Sequence, residues 1–225
     1  MHFVFLNQYY PPDAAPTGMM LARVMDQLVE AGHGVTLICA KGGYALKESG
    51  SHGVVNTGGS DHSGGRIIRV GSTSFGRATF LGKLLDYLSF YAGVAWALVT
   101  LGNRPDRIVA MTTPPYLSLL ARIFSKFHKA DHAHWVMDLY PDVMVAHGML
   151  KPDGVWNRVL GGLTRWGFGG ERCACVLSLG PDMAERVGSY LEDQQNAPWV
   201  PLWSSSALSV PRQAEVSQMR AKRGW

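Results

Sequence analysis

Carboxylates and hydroxyls that directly follow predicted strands are the side chains of this sequence best placed to do chemistry. Asp138 follows an apolar run at residues 132–137, where a buried strand is expected to end. A carboxylate at that point can accept a proton from a sugar hydroxyl as the hydroxyl attacks. The alternative is that Asp138 or Asp142 caps the next helix, and for Asp142 we prefer that interpretation. Asp138 is therefore the candidate catalytic residue.

The loop after the first predicted strand is a second candidate site. It is rich in proline and leads through Thr17 and Gly18 into a predicted helix at residues 18–31. The free N–H groups and positive dipole end of a helix N-terminus suit a phosphate or a sugar hydroxyl. Gly18 would let a ligand approach the backbone closely. A rigid proline loop with Thr17 as a simple N-cap explains the same residues equally well.

Several familiar motifs are absent from the sequence. The first strand is not followed by G-x-G-x-x-G, and no G-x-S-x-G occurs, so a dinucleotide site and an α/β-hydrolase are unsupported. Residues 76–83 mimic a phosphate loop but have one residue too many between the glycines. His132 and His134 lie two apart without a third candidate ligand, so we interpret them as structural and expect no metal site.

The elements that must position these residues alternate between strands and helices. The predicted strands cover residues 2–6, 35–40, 66–70, 107–111, 132–137 and 173–178, with a last short strand at 199–202. Repeated strand–helix–strand units predict right-handed crossovers and a mainly parallel sheet. We therefore predict a single Rossmann-like, doubly wound α/β fold. Its ligands should bind beyond the carboxyl ends of the strands, at loops 7–17, 41–65, 112–115 and 138–148.

Two segments need separate interpretation. Residues 41–65 are rich in Gly, Ser and His and have no period, which predicts a long mobile loop. Residues 84–101 are strongly apolar and include one charge, Asp86. We favour a helix packed on the sheet there, with peripheral membrane contact as the second interpretation.

Composition limits the classes of protein that the chain can be. Apolar residues make up 47% of 225 residues and charged residues 17%, which excludes a disordered chain. The formal net charge of +4 suits an anionic membrane surface or a phosphorylated ligand, and no nucleic-acid partner is expected. Three cysteines without framework spacing fit a reducing compartment. Cys173 and Cys175 are predicted to share one strand face as small buried residues.

Four motifs occur in an order that resembles glycosyltransferase family 4, in particular its bacterial colanic-acid and O-antigen type members. They are residues 5–13 (FLNQYYPPD), 28–36 (LVEAGHGVT), 106–115 (DRIVAMTTPP) and 138–142 (DLYPD) followed by Gly148. The resemblance covers the chain to about residue 205. It implies a GT-B enzyme in which two Rossmann-like domains enclose the active site.

The resemblance also implies a separate role for each of the two domains. The N-terminal domain binds a lipid-linked or polysaccharide acceptor, and the C-terminal domain binds the nucleotide-sugar through an E-x7-E element. Such enzymes are usually retaining, need no metal, and lie at the inner membrane surface. The implied catalytic residue is Asp138. The implied substrate-binding residues are Tyr9, Tyr10, Pro12, Asp13, Thr17, Gly18, Thr112, Thr113, Pro114 and Tyr140.

No E-x7-E spacing occurs in this sequence. We therefore expect residues 1–205 to be the acceptor-side domain and 206–225 to begin an interdomain linker, with the donor domain absent. The chain itself would need no cofactor, because the nucleotide-sugar would bind a separate donor domain. The expected location is the cytoplasm, with peripheral inner-membrane contact. Whether the chain alone is an enzyme stays open at this point.

Two other functions are alternatives for this sequence. One is a non-catalytic module that binds a saccharide or lipid carrier, or docks on a partner, through the 84–101 helix and the basic tail at 212–223. The other is a different Rossmann-like enzyme such as an epimerase, which the missing glycine fingerprint disfavours.

Overall fold

A seven-stranded sheet forms the centre of the chain. The computed structural model describes residues 1–13, 15–41, 55–57, 65–71, 73, 80–192, 197–202, 220 and 222. The strands are β1 (His2–Leu6), β2 (Gly34–Ala40), β3 (Val55–Thr57), β4 (Arg66–Val70), β5 (Arg107–Met111), β6 (Asp131–Trp135) and β7 (Cys173–Leu177). The helices are α1 (Pro16–Glu30), α2 (Phe80–Val99), α3 (Leu117–His128), α4 (Asp142–Ala146), α5 (Val155–Phe168) and α6 (Pro181–Gly188).

The strand order is β3-β4-β2-β1-β5-β6-β7, and every neighbouring pair is parallel except β3 with β4. Without β3, the six parallel strands have the doubly wound Rossmann order, with β1 between β2 and β5. This confirms the predicted fold class. The direction of winding reverses between β1 and β5, and such a switch point opens a ligand crevice outside the carboxyl ends of the two strands.

Helices cover both faces of the sheet, which is why its strands are almost continuously apolar. On one face Leu21 and Met25 of α1 pack with Phe5 of β1. On the other face Phe90 of α2 packs with Val4, the neighbour of Phe5 along β1. A third apolar cluster lies under α5 and α6; its buried members are Val136, Leu139, Phe168, Val176 and Val187.

Several predicted boundaries differ from the observed ones. The helix α1 begins at Pro16 with Ala15 as its N-cap, so Thr17 lies in the first turn and the predicted cap is wrong. Proline at the first helical position has a preset φ and no N–H to satisfy, which favours this earlier start. The prediction that Asp142 caps a helix is also wrong, because Pro141 is the N-cap of α4 and no side chain caps that helix.

The predicted common face for Cys173 and Cys175 is also wrong. The register of β6 with β7 shifts between adjacent residues, because His132 pairs with Cys173 whereas Ala133 pairs with Cys175. This β-bulge leaves Ala174 without a partner of its own and interrupts the alternation of side chains. Cys173 therefore lies on the face of the cluster under α5, and Cys175 lies on the opposite face.

The remaining predictions are met in part. Residues 55–57 form the edge strand β3 inside the predicted loop 41–65, and most of that loop lies outside the described residues. The predicted strand at 199–202 is reduced to a single parallel bridge between Ser178 and Trp199. Most of residues 206–225 also lie outside the described part. In the described ranges, no helix combines the length and hydropathy that a bilayer crossing needs.

Candidate functional site

Three loops meet at the crevice beyond the carboxyl ends of β1 and β5. The backbone N–H of Gln8, after β1, donates a 2.8 Å hydrogen bond to the carbonyl of Thr113, after β5. The carbonyl of Gln8 in turn accepts a 3.0 Å bond from Ala40, the last residue of β2. These backbone hydrogen bonds tie the first loop to its neighbours on both sides.

Thr112 places the loop that carries Asp138. Its side chain is buried, and its hydroxyl accepts a 2.7 Å hydrogen bond from the N–H of Met137. The same hydroxyl donates to the carbonyl of Trp135 at 3.3 Å, and the N–H of Asp138 lies 3.4 Å away. All of these hydrogen bonds are made to the backbone around Asp138, so Thr112 positions the loop that carries Asp138. The side chain of Asp138 is exposed, in the loop after β6 that Thr112 holds against the loop after β5.

Tyrosine rings surround the loops beside Asp138. Burial raises the pKa of Tyr140, and the nearby charges of Asp138 and Tyr87 raise it further, which places both side chains close to the ring. The rings of Tyr116 and Tyr140 lie 6.4 Å apart. The hydroxyl of Tyr91 donates a hydrogen bond to the carbonyl of Pro115. The site therefore combines a solvent-exposed carboxylate with neighbouring aromatic rings, and the planes of the Tyr116 and Tyr140 rings are inclined by 50°.

Tyr87, Tyr91 and Tyr116 were not among the residues predicted from the sequence. Burial raises the pKa of Tyr91, and Tyr87, Tyr116 and Tyr140 raise it further, so the four side chains lie in one region of the molecule. The spacing of Tyr87 and Tyr91 is a signal that could have found them, because residues four apart share one helix face. That this face points to the loop after β5 depends on the packing of α2, which no local pattern reveals.

Gly18 has a structural explanation. A Cβ atom added at this position would lie 2.8 Å from the carbonyl oxygen of Tyr9 and 3.1 Å from the Cα of Tyr10. The backbone of the first loop therefore passes directly over the start of α1, and this close approach requires glycine at position 18. Tyr10 is buried in the core on the α1 side, whereas Pro12 is exposed and Thr17 is half-buried.

Asp13 is the most unusual side chain in the first loop. It is 3% exposed, and neither oxygen of its carboxylate has a hydrogen-bond partner among the described residues. Burying an unpaired carboxylate is costly, so such a group normally meets water or ligand donors. Burial raises the pKa of the Cys39 thiol to about 12, with Arg69 lowering it and Asp13 raising it, which places these groups together. Arg69 also donates a 2.7 Å bond to the carbonyl of Pro11.

The amide oxygens of Asn7 and Gln8 share this property. Both are buried and, within the described ranges, lack hydrogen-bond partners. The amide nitrogen of Asn7 instead donates a 2.7 Å bond to the carbonyl of Tyr9, which shapes the loop. The start of the first loop thus presents unsatisfied acceptor oxygens that hydroxyl groups of a ligand could satisfy. Neither residue was predicted as part of the site.

Asp142 is held within the protein. Its carboxylate accepts a 2.6 Å hydrogen bond from the Tyr190 hydroxyl and a further bond from Arg186. Burial raises the pKa of Tyr190, and its hydrogen bond to Asp142 raises it further. These contacts join α4 to α6, across more than forty residues of sequence, and they leave Asp138 as the exposed carboxylate of the DLYPD segment.

The two histidines of β6 are buried. Burial lowers the pKa of His132 to about 4, helped by the nearby Arg122, and burial lowers the pKa of His134 to about 3. The ring of His134 packs 4.9 Å from Phe168. This environment agrees with the interpretation of both histidines as structural. Across the described ranges, no group of three or more His, Cys, Asp or Glu side chains could hold a metal ion.

No protein-family model and no curated protein matches the chain. Among solved structures, it is similar to sucrose-phosphate synthase from Thermosynechococcus elongatus, with a TM-score of 0.60 and 12% identity. That match covers 100% of this chain and 53% of the other. It is also similar to a UGT transferase from Siraitia grosvenorii in complex with UDP, with a TM-score of 0.50 and 11% identity over 98% of this chain and 55% of the other.

The chain therefore spans about half the length of these solved structures, which are GT-B glycosyltransferases. The likeness is one of fold. It shows that this chain has the Rossmann-like architecture of one half of a GT-B protein.

Proposed function

We propose that the chain is the acceptor-binding half of a glycosyltransferase. In this proposal a sugar passes from a nucleotide-sugar to a lipid-linked or polysaccharide acceptor, and the enzyme is of the family 4, colanic-acid and O-antigen type. The observation that carries the proposal is the exposed Asp138, fixed by Thr112 at the switch-point crevice of a GT-B-like half. The likeness in fold and the four ordered motifs support it.

In the mechanism that follows, this half binds and orients the acceptor. The carboxylate of Asp138 accepts a hydrogen bond from the attacking hydroxyl and orients or deprotonates it. The rings of Tyr140 and Tyr116 offer apolar faces against which a sugar ring packs. Asp13 and the amide oxygen of Gln8 accept hydrogen bonds from further hydroxyls. The nucleotide-sugar binds the counterpart domain, which closes over the crevice.

The test adds a family 4 donor domain to the 225-residue chain in trans, with UDP- and GDP-linked hexoses and a polyprenyl-diphosphate-linked saccharide. Transfer of sugar that requires both proteins supports the proposal. Asp138→Asn should abolish most of this transfer, whereas Asp131→Asn, at the first residue of β6 and so at the opposite end of the strands, is a control for the same loss of charge. Tight binding of a nucleotide-sugar by the chain alone would contradict the acceptor-side assignment.

The second candidate function is a non-catalytic module that binds a saccharide or lipid carrier. The exposed apolar side chains of α2, which include Leu84, Leu85 and Leu88, favour it because isolated domains rarely expose such groups together. In the same experiment, saccharide binding by the chain without transfer by any pair of proteins supports this second function. In either case we propose a cytoplasmic protein with peripheral membrane contact.

A further inference from the structure

The outer side of α5 exposes large apolar side chains in a regular stripe. Val155 and Trp156 are each 70% exposed. Val159, Leu163 and Trp166 continue the stripe at intervals of three and four residues, and all of them are exposed. This spacing places Trp156, Val159, Leu163 and Trp166 on one side of the helix. An apolar stripe of this length that faces solvent indicates a surface that another phase or molecule covers.

A second stripe on α3 lies beside the first. Ile123 and Phe127, four residues apart on α3, are both exposed, with Phe127 at 65%. The two helices pack closely, since a Cβ atom added at Gly167 of α5 would lie 2.5 Å from the hydroxyl of Ser118 of α3. The guanidinium of Arg122 lies 4.4 Å from the centre of the Trp166 ring. The two stripes therefore form one surface, which we name the α3–α5 face.

Basic residues border this face, and acidic residues are absent from both helices. The sequence of α3 contains Arg122 and Lys126, and that of α5 contains Arg158 and Arg165. Lys126, Arg158 and Arg165 are exposed. The nearest acidic residues along the chain lie outside the helices: Asp131 beyond α3, and Asp153 and Glu171 at the two ends of α5. The α3–α5 face thus combines apolar groups, tryptophan rings and positive charge.

We propose that the α3–α5 face binds an anionic lipid surface. Helices that lie in a membrane interface insert apolar and tryptophan side chains among the acyl chains, while lysine and arginine reach the anionic headgroups. Each of these three components is present here. Electrostatic attraction by several basic side chains adds to the apolar insertion.

Charge decides between this occupant and a second copy of the chain. A symmetric dimer through the α3–α5 face would bring the same basic residues against each other, and like charges in an interface disfavour association. The helix α2 also exposes apolar groups such as Trp96, but its sequence contains Asp86 and no basic residue after Lys83. The exposed apolar groups of α2 therefore lack the charge pattern of the α3–α5 face and provide a control.

This proposal specifies the surface for the peripheral membrane contact proposed above, and its test needs no donor domain and no acceptor. If both proposals hold, the α3–α5 face brings the crevice to a membrane that contains the lipid-linked acceptor. Failure of one proposal leaves the other measurable, since vesicle binding and sugar transfer are separate assays.

The test is flotation of the 225-residue chain with vesicles of phosphatidylcholine alone or mixed with phosphatidylglycerol. We expect binding to the anionic vesicles, little binding to phosphatidylcholine, and release when NaCl is raised from about 0.05 M to about 0.5 M, which screens the headgroup charge. Arg158→Gln should weaken binding roughly fivefold, the factor equivalent to about 1 kcal/mol. Equal binding to both vesicles, or binding that salt does not weaken, would overturn the proposal.

Two matched tryptophan variants locate the surface. Trp156→Ser should reduce vesicle binding about tenfold, because an inserted ring is lost, whereas Trp96→Ser on α2 should leave binding unchanged. Circular dichroism checks that both variants stay folded, as exposed side chains should allow. An equal loss in both variants would refute the assignment to α3 and α5. A Trp156-dependent dimer in sedimentation, without vesicle binding, would show that the face joins two copies.

Discussion

The hydroxyl of Thr112 accepts a 2.7 Å hydrogen bond from the backbone N–H of Met137, the residue directly before Asp138. A single buried side chain at the end of β5 thus fixes the loop that follows β6. Thr112→Val keeps the shape of the side chain but leaves the N–H of Met137 without its acceptor. We expect the free energy of unfolding to fall by about 1–3 kcal/mol, measured by urea denaturation.

Thr112→Ser is the control, because it keeps the hydroxyl and removes one methyl group. Thr112→Ser should keep most of the stability that Thr112→Val loses. Amide exchange at Met137 should stay slow in Thr112→Ser and become faster in Thr112→Val. Equal stability of the two variants would mean that the hydroxyl has no positioning role.

Asp138→Asn should separate catalysis from stability. The side chain is exposed, so its replacement should change the free energy of unfolding by less than about 0.5 kcal/mol. In the assay with a donor domain in trans, we expect the rate of sugar transfer to fall by about 100-fold or more, because the carboxylate proposed to orient or deprotonate the attacking hydroxyl is lost. Unchanged transfer by Asp138→Asn would remove this residue from the mechanism.

Tyr190 and Arg186 should contribute unequally to the contact with Asp142. Tyr190→Phe removes a 2.6 Å hydrogen bond from a half-buried site and should cost about 1 kcal/mol of unfolding free energy. Arg186→Gln should cost less, since its side chain is 64% exposed and exposed ion pairs contribute between about 0 and 1 kcal/mol. Thermal unfolding of the two variants measures the difference, and a larger loss in Arg186→Gln would contradict this ranking.

Acid should destabilise the protein through the two buried histidines. Their folded-state pKa values of about 4 and about 3 lie below the ordinary value of 6.5, so the unfolded chain binds protons first. The contribution of these histidines to the free energy of unfolding is therefore fully present above pH 6.5, and it is lost as the pH falls toward the folded-state pKa values. The slope should approach about 1.4 kcal/mol per pH unit for each histidine.

His134→Phe removes one of these groups and should reduce that slope between pH 6.5 and about pH 5. Urea denaturation at several pH values gives the slope for the original protein and for the variant. A slope that is the same in both proteins would show that His134 is protonated equally in the folded and unfolded states.

Glycine replacements test the packing of the first loop. Gly18→Ala places a methyl group 2.8 Å from the Tyr9 carbonyl oxygen and should destabilise the protein by about 1–3 kcal/mol. Gly162→Ala, in the middle of α5, meets no atom within 4 Å and should stabilise it by up to about 1 kcal/mol. Differential scanning calorimetry measures the stability of both variants. A Gly18→Ala protein as stable as the original would show that the first loop can shift to accommodate the methyl group.

Local patterns were enough to predict much of the fold. The strands β1, β4 and β5 have the predicted bounds because each is a short apolar run between polar or turn residues. The strand β3 was missed, since its three residues have no pattern of their own and pair antiparallel with β4 at the edge. The bulge at Ala174 was also missed, because register depends on the neighbouring strand.

Topology indicates which loops lie beyond the carboxyl ends of the strands, and Asp138 lies in the loop that follows β6. Contacts within that region were not predictable. The contact between Asp142 and Tyr190 spans 48 residues and could not be read from either local sequence. The same is true of Gly18, whose local pattern suggested ligand access, although the neighbour that requires glycine is the backbone of Tyr9.

The central position of β1 has a consequence for how the chain folds. The strand pairs with β2, about thirty residues away, and with β5, about one hundred residues away. Loop-closure entropy makes the second pairing the slower event, because distant segments must meet before any contact stabilises them. During synthesis the crevice therefore has no opposite wall until residues beyond 111 have left the ribosome, so its two sides meet only after β5 has emerged.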